Sequence, residues 1–163
     1  MAIAQTLVKY LKDRGIDFEM VEHAHTPTAV ASAHAAHVPA HQVAKAVVLR
    51  DDTGYVVSVL PANHSLEVGW VNEALDRKLE LACEDEFKKL FGDCETGAVP
   101  AIGEAYGLKV IWDDELAYTS NIYIEAGDHE HLIWLERRDF KKLMTGLPHT
   151  IISKDEEVGS WKY

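Results

Sequence analysis

Val43-Ala44-Lys45-Ala46-Val47-Val48-Leu49 is followed by Asp51-Asp52-Thr53-Gly54 and then by Tyr55-Val56-Val57-Ser58-Val59-Leu60. Two apolar, β-branched runs separated by a polar turn signal predict a β-hairpin, because Asp, Thr and Gly supply the side-chain acceptors and backbone freedom of a tight reversal. Lys45 breaks the pattern. Strand alternation turns it to the face it shares with Val47 and Leu49, where a lysine is costly unless it is paired or at work. The other reading is a side chain that snorkels from the strand end and keeps its ammonium in water. The residues alone leave both open.

Upstream of the hairpin, Ile3, Leu7, Val8 and Leu11 recur at helical spacing, with Gly15 placed for a left-handed cap. Phe18-Glu19-Met20 alternates as a short strand leading to His23-Ala24-His25. Thr28 then precedes an alanine-rich helix over 29–36 as its N-cap, and Val38-Pro39 ends it. Downstream, Leu66 to Arg77 carries Val68, Val71, Ala74 and Leu75 on one helical face. Leu79-Glu80-Leu81 reads as a strand, Cys83 to Phe91 as a short helix stopped at Gly92, and Asp93 to Gly103 as a loop. Strands are expected at 109–112, 121–125 and 132–136, and a helix at 139–144 ending near Gly146. The sum is a single mixed α/β (α+β) domain across residues 1–163. Its centre is expected to be a mixed, largely antiparallel sheet or partial barrel of about six or seven strands surrounded by helices.

The chain has 163 residues, enough for one core, and carries 16 Lys and Arg against 27 Asp and Glu, a formal net charge of −11. Nucleic-acid affinity comes largely from cations that neutralise phosphates, so this composition excludes a general nucleic-acid binder and no DNA partner is expected. No apolar run is long enough for a membrane span. Met1 to Leu7 has no basic flank before a long apolar stretch, so a cytoplasmic location is expected. Cys83 and Cys94 are read as reduced thiols, since two cysteines make no disulfide framework. Cys94, in its glycine-bearing loop, is read as passive because no basic group adjoins it in sequence. His34, His37 and His41 would share one face only on a continuous helix, which Pro39 interrupts, and His129-Glu130-His131 would put two imidazoles on one side of a strand. Neither set has a third and fourth ligand at a familiar spacing, so they are read as solvated, with no metal and no cofactor expected. Asp155-Glu156-Glu157 is read as a solvated tail segment.

Several segments together carry a resemblance. They are the Ala44-Lys45 strand with its hairpin partner and Pro61-Ala62, the loop Gly97-Ala98-Val99-Pro100-Ala101-Ile102-Gly103, Asp113 to Leu116, and Ile124-Glu125-Ala126-Gly127. With Thr28 before them, they fall in the order found in the YbaK family, the prolyl-tRNA-synthetase-associated aminoacyl-tRNA deacylases, and the resemblance covers nearly the whole chain. It departs at Ala46, where the family usually has a hydroxyl residue, and at Pro100-Ala101-Ile102, where Ser-Pro-Phe or similar is usual. Both departures bear on substrate choice.

The resemblance implies hydrolysis of the ester between a wrong, small amino acid (Ala or Cys) and the terminal adenosine of a tRNA, typically tRNA(Pro), by a free-standing trans-editing deacylase. Lys45 would be the catalytic residue. Thr28, Gly97, Ala98, Val99, Pro100, Ile102, Gly103 and His131 would bind substrate, with Ala101 also bounding a small pocket. Oxyanion stabilisation suits Lys45 or loop N–H groups, and assistance by the substrate itself would account for the lack of a Ser-His-Asp or Cys-His set. The implied partners are the acceptor end of mischarged tRNA and prolyl-tRNA synthetase. For so acidic a chain, either the basic residues Lys88, Lys89, Arg137, Arg138, Lys141 and Lys142 gather at the mouth or a synthetase supplies the affinity. A different class also stands: a regulatory or small-ligand-binding module that keeps the fold without catalysis.

Overall fold

The structure, a computed structural model, describes residues 3–156. Met1-Ala2 of the amino-terminal stretch and Glu157 of the acidic run lie outside the described residues. Helix α1 (Gln5–Asp13) buries Leu7 and Leu11, and Gly15 at φ +66° lets the Gly15 and Ile16 amides close its end on Lys12 and Leu11. Strand β1 (Glu19–Glu22) and helix α2 (Ala29–Ala35) follow, the latter capped by Thr28 Oγ1, which accepts from Ala31 N–H at 3.1 Å. The hairpin is β2 (Val43–Asp51) and β3 (Gly54–Pro61), paired from Ala44↔Pro61 to Asp51↔Gly54 across the two-residue turn Asp52-Thr53. Next come β4 (His64–Leu66), α3 (Val68–Leu75), β5 (Glu80–Leu81) and α4 (Glu84–Leu90). The chain closes with β6 (Lys109–Asp113), β7 (Asn121–Glu125), β8 (His131–Glu136), α5 (Arg137–Met144), β9 (His149–Thr150) and β10 (Ser153–Asp155).

The main sheet has eight strands, running β1-β8-β7-β2-β3-β6-β9 with β5 attached to β2, while β4 and β10 form a separate antiparallel pair. The β2–β7, β3–β6 and β6–β9 pairings are parallel and the rest of the sheet is antiparallel, which makes it mixed and largely antiparallel as expected. On the edge of β2 away from β3, β7 pairs only at Val43 and Ala44, and β5 pairs only at Leu49 and Arg50. Between those contacts β7 and β2 part, and the sheet forks.

Helices cover both faces. Ala44 and Val48 on one side of β2 pack with α1 (Leu7, Leu11), α5 (Phe140, Leu143) and the loop residues Ala101 and Ile102. On the other side Leu49 and Val56 pack with Val71 of α3 and with Ile152, while Val43 packs with Ala33 of α2 and Leu132. Lys45 therefore stands between two apolar clusters on the α2–α3 face.

Three short strands, β4, β9 and β10, were not expected. Their two or three residues show no alternation, and they form because buried Asp113 gathers the carboxyl-terminal segment. Its Oδ2 accepts from Ile152 N–H at 2.9 Å and Ser153 Oγ–H at 2.6 Å, and its Oδ1 from Glu115 N–H at 2.9 Å. One histidine reading holds and another is corrected. Helix α2 ends before His37, which sits at φ +59°, so exposed His34, His37 and His41 share no helix. His129 is neither in a strand nor solvated: it occupies a turn at φ +59° and is buried, 6% exposed. Both cysteines are free thiols, Cys83 exposed and Cys94 partly buried.

Candidate functional site

The fork in the sheet opens into a cavity of about 140 Å³ lined by Thr28, Ala29, Val43, Ala44, Lys45, Ala46, Gly97, Val99, Glu125, His129 and Leu132. Successive residues of one strand point to opposite faces, so Val43 and Lys45 can share a cavity with Ala44 and Ala46 only if it passes beside the strand. The separation of β7 from β2 provides that passage. Two wider grooves, of about 670 and 840 Å³, lie along β6 and the residues around Pro148, away from these side chains.

Main-chain hydrogen bonds hold the walls. Beyond β7, Gly127 at φ +108° turns the chain so that the Gly127 and His129 amides both donate to Oε1 of Glu125, at 3.1 and 3.0 Å. Asp128 Oδ1 accepts from the Glu130 and His131 amides at 2.9 Å each, which completes the turn. His129 Nε2 lies 2.7 Å from the Thr96 carbonyl, so it carries the proton and donates. That bond fixes the ring against Gly97, which is at φ +83° and whose missing side chain would stand 3.6 Å from the imidazole. Behind this wall Cys94 Sγ contacts Tyr106 Oη at 3.4 Å and Asp93 Oδ1 at 3.6 Å, and Tyr106 donates to the same carboxylate at 2.9 Å. Burial pushes the Cys94 thiol up to about 12, which leaves it protonated and inert as a nucleophile.

Electrostatically the cavity has two poles. Burial pushes the Lys45 ammonium below the usual lysine range, while the charge of Glu156 acts in the opposite sense. Burial raises the Glu125 carboxyl above the usual range, opposed by the two amide bonds it receives. None of the ion pairs among the described residues includes either group.

Of the residues singled out in the sequence, the structure brings Lys45, Thr28, Gly97 and Val99 together at the cavity. It places Ala98, Pro100, Ala101, Ile102 and Gly103 in the buried interior, where Gly103 lies against Val57 and Val110 with no room for a side chain. His131 lies outside the cavity, its Nδ1 2.7 Å from Asp128 Oδ2 and its Nε2 3.5 Å from Glu22. His129 and Glu125 are the polar wall residues that the sequence does not mark as site residues. The basic helix α5 begins at the far end of β8 from Leu132, about 17 Å away at ~3.4 Å per residue, so Arg137, Arg138, Lys141 and Lys142 do not ring the mouth. Among the described residues no group of three or more His, Cys, Asp or Glu converges to hold a metal ion. No described helix is long and apolar enough to cross a membrane.

Solved structures reproduce this mixed sheet with its flanking helices closely. A protein described as a candidate trans-editing enzyme for prolyl tRNA synthetase superposes with a TM-score of 0.81 at 22% identity, over 93% of this chain and 96% of that one. A hypothetical protein gives 0.81 at 20% identity, over 92% and 100%. A candidate signal transduction protein from Marinobacter aquaeolei VT8 gives 0.76 at 16% identity, over 93% of this chain but 31% of that one. At such identities these likenesses establish the fold. Residues 23–143 match the aminoacyl-tRNA editing domain, and the chain belongs to that family. No curated protein sequence matches it.

Proposed function

We propose that the chain is an aminoacyl-tRNA deacylase that hydrolyses the ester of a small amino acid, Ala or Cys, on tRNA(Pro). The observation that carries this reading is the Lys45 ammonium, half-buried in the wall of a cavity of about 140 Å³. Ligand sites for drug-sized molecules run from about 300 to 1,000 Å³. Here the substrate's own Cα, amino group and carbonyl use most of the space, which leaves room for a side chain of one or two heavy atoms. Water adds to the ester carbonyl carbon and the oxygen gains negative charge, which Lys45 stabilises. The bond to the ribose oxygen then breaks, freeing the amino acid and a tRNA with a free terminal hydroxyl. The lining side chains include no Ser or Cys nucleophile, and the neighbouring ribose hydroxyl of the substrate orients the water. Family membership and the fold shared with a candidate trans-editing enzyme for prolyl tRNA synthetase support tRNA(Pro) as substrate and the synthetase as partner.

Mischarged tRNAs assayed as a panel test the reading. Alanyl- and cysteinyl-tRNA(Pro) should be deacylated, and phenylalanyl or tyrosyl esters on the same tRNA should persist, because a cavity of about 140 Å³ discriminates by excluding bulk. Release of the aromatic acids at the same rate counts against the pocket assignment. No hydrolysis of any ester counts against the enzyme and favours a ligand-binding module.

The α5 cations supply a second test. With its terminal ester in the cavity, an acceptor arm has to cross the surface, and Arg137, Arg138, Lys141 and Lys142 are exposed on α5. Neutralising all four should weaken tRNA binding and flatten its dependence on salt by up to about four phosphate contacts' worth of slope. An unchanged slope moves the contact to another surface or to a partner.

A further inference from the structure

Glu125 is the one charged wall group that neither the sequence pattern nor the deacylase reading employs. Its carboxylate is fixed on one side only: Oε1 takes both the Gly127 and His129 amides, whereas Oε2 has no hydrogen-bond partner among the described residues. A half-buried carboxylate pinned by the main chain, with no ion pair among the described residues, leaves one oxygen free for an arriving cation. The other polar wall groups do not provide one. His129 has its Nε2 proton committed to the Thr96 carbonyl, Thr28 Oγ1 caps α2, and Lys45 makes no ion pair with Glu125.

An aminoacyl ester has the charge pattern that complements such a wall. Its carbonyl oxygen becomes negative as water adds, and one carbon away it carries an ammonium. A cavity with one cation and one anion in its wall fits both ends of that short dipole, and at about 140 Å³ it brings both within reach of one bound group.

We propose that Glu125 receives the α-ammonium of the aminoacyl ester at Oε2, so that the site selects amino-acid esters as a class and rejects esters whose α-amino group is acylated or replaced. The proposal takes its substrate from the deacylase reading. It gives the domain a second filter: peptidyl esters, whose α-nitrogen is an uncharged amide, are refused for want of charge as well as for size. Glu125 binds and orients, and Lys45 answers the carbonyl.

Lactyl-tRNA, made from alanyl-tRNA by converting the α-ammonium to a hydroxyl, tests this because the two esters have almost the same shape. The unmodified protein should cleave the alanyl ester faster by on the order of 10-fold to 100-fold in kcat/KM, the range of a charge-assisted hydrogen bond. Glu125→Gln should bring that ratio toward one chiefly by slowing the alanyl ester. Glutamine keeps an oxygen for the Gly127 and His129 amides, so the turn survives, and the comparison within the unmodified protein does not depend on the variant at all. Equal cleavage of the two esters by the unmodified protein overturns the proposal. So does a Glu125→Gln variant that slows both equally, which would place the carboxylate on the attacking water, or one that slows only seryl and not alanyl esters, which would place it on the side chain.

If no ester is cleaved the deacylase reading fails by itself, and calorimetry with stable amides still decides the role of Glu125. The 3′-alanylamino analogue of adenosine should bind on the order of 10-fold to 100-fold tighter than the 3′-lactylamino analogue, and Glu125→Gln should remove the difference. Equal binding of the two by the unmodified protein overturns it.

Discussion

Lys45→Ala lowers the rate of deacylation on the order of 100-fold to 1000-fold in single-turnover assays, with an unchanged circular dichroism spectrum. That range is the usual consequence of removing one oxyanion-type donor. The fold survives because the β2–β3 ladder is made by main-chain groups, and alanine suits a position flanked by Ala44 and Ala46. Lys45→Arg is the sharper comparison. Arginine keeps the charge but is planar, longer and differently hydrated, and a cavity of about 140 Å³ leaves it no room to put that charge where the ammonium stood. The rate is expected to fall in this variant too. Because burial holds the Lys45 pKa below the usual lysine range, the ammonium is lost as pH rises through that lowered value, so the alkaline decline of activity begins earlier than an exposed lysine would cause. Parental rates in both variants would show that Lys45 is merely solvated.

Asp113→Ala destabilises the fold by roughly 3 kcal/mol or more, read as a lower urea midpoint with little change in slope. Three donors converge on this fully buried carboxylate: the Ile152 and Glu115 amides and the Ser153 hydroxyl. Ser153 Oγ in turn lies 2.8 Å from His64 Nδ1, and since the hydroxyl proton points to Asp113, the imidazole donates to it. Truncation leaves buried donors without acceptors, each costing about 1–3 kcal/mol. Asp113→Asn rescues little, because its amide group presents a further donor where one of the two acceptor oxygens stood. A midpoint unchanged in Asp113→Ala would mean that the carboxyl-terminal segment docks by its apolar contacts alone, chiefly Ile152 against Leu49 and Val71.

The hairpin was legible because its information is local: β-branched runs, a two-residue turn, and periodicity over eight or nine residues in each strand. The capping of α2 by Thr28 and the left-handed Gly15 were legible for the same reason. Strands β9 and β10 were not, because their existence depends on one buried carboxylate that draws in residues about 40 positions away in sequence. Lys45 stood out as a charge in an apolar run, and Thr28, Gly97 and Val99 entered through family resemblance. Glu125 raised no flag, since the alternation Asn121-Ile122-Tyr123-Ile124-Glu125 assigns it to the polar side of an ordinary strand. Only the fork converts that side into a wall. His131 entered through the family resemblance, while His129 was read as solvated. The turn built on Asp128 and Gly127 rotates His129 into the cavity and leaves His131 paired with Asp128 outside it. The nearby Gly-Asp-His sequence was the available signal, as glycine followed by an Asx residue announces a turn.

The parting of β2 from β7 leaves the main-chain N–H and C=O of one residue facing the cavity. In the β2–β3 ladder Val43 is hydrogen-bonded to Ala62, so alternate residues of β2 point their peptide groups the other way, and Val48 does so where its carbonyl accepts from Ala82. Ala46 belongs to that second set and falls in the gap, where neither β7 nor β5 reaches it. Its N–H and C=O are satisfied by solvent or by whatever enters. A ligand that shields them without offering a hydrogen bond leaves a dry peptide group, at about 1–3 kcal/mol. These polar groups belong to the backbone, so exchange of the residue at position 46, by drift or by design, alters the size of the cavity while its main-chain donor persists through every substitution except proline.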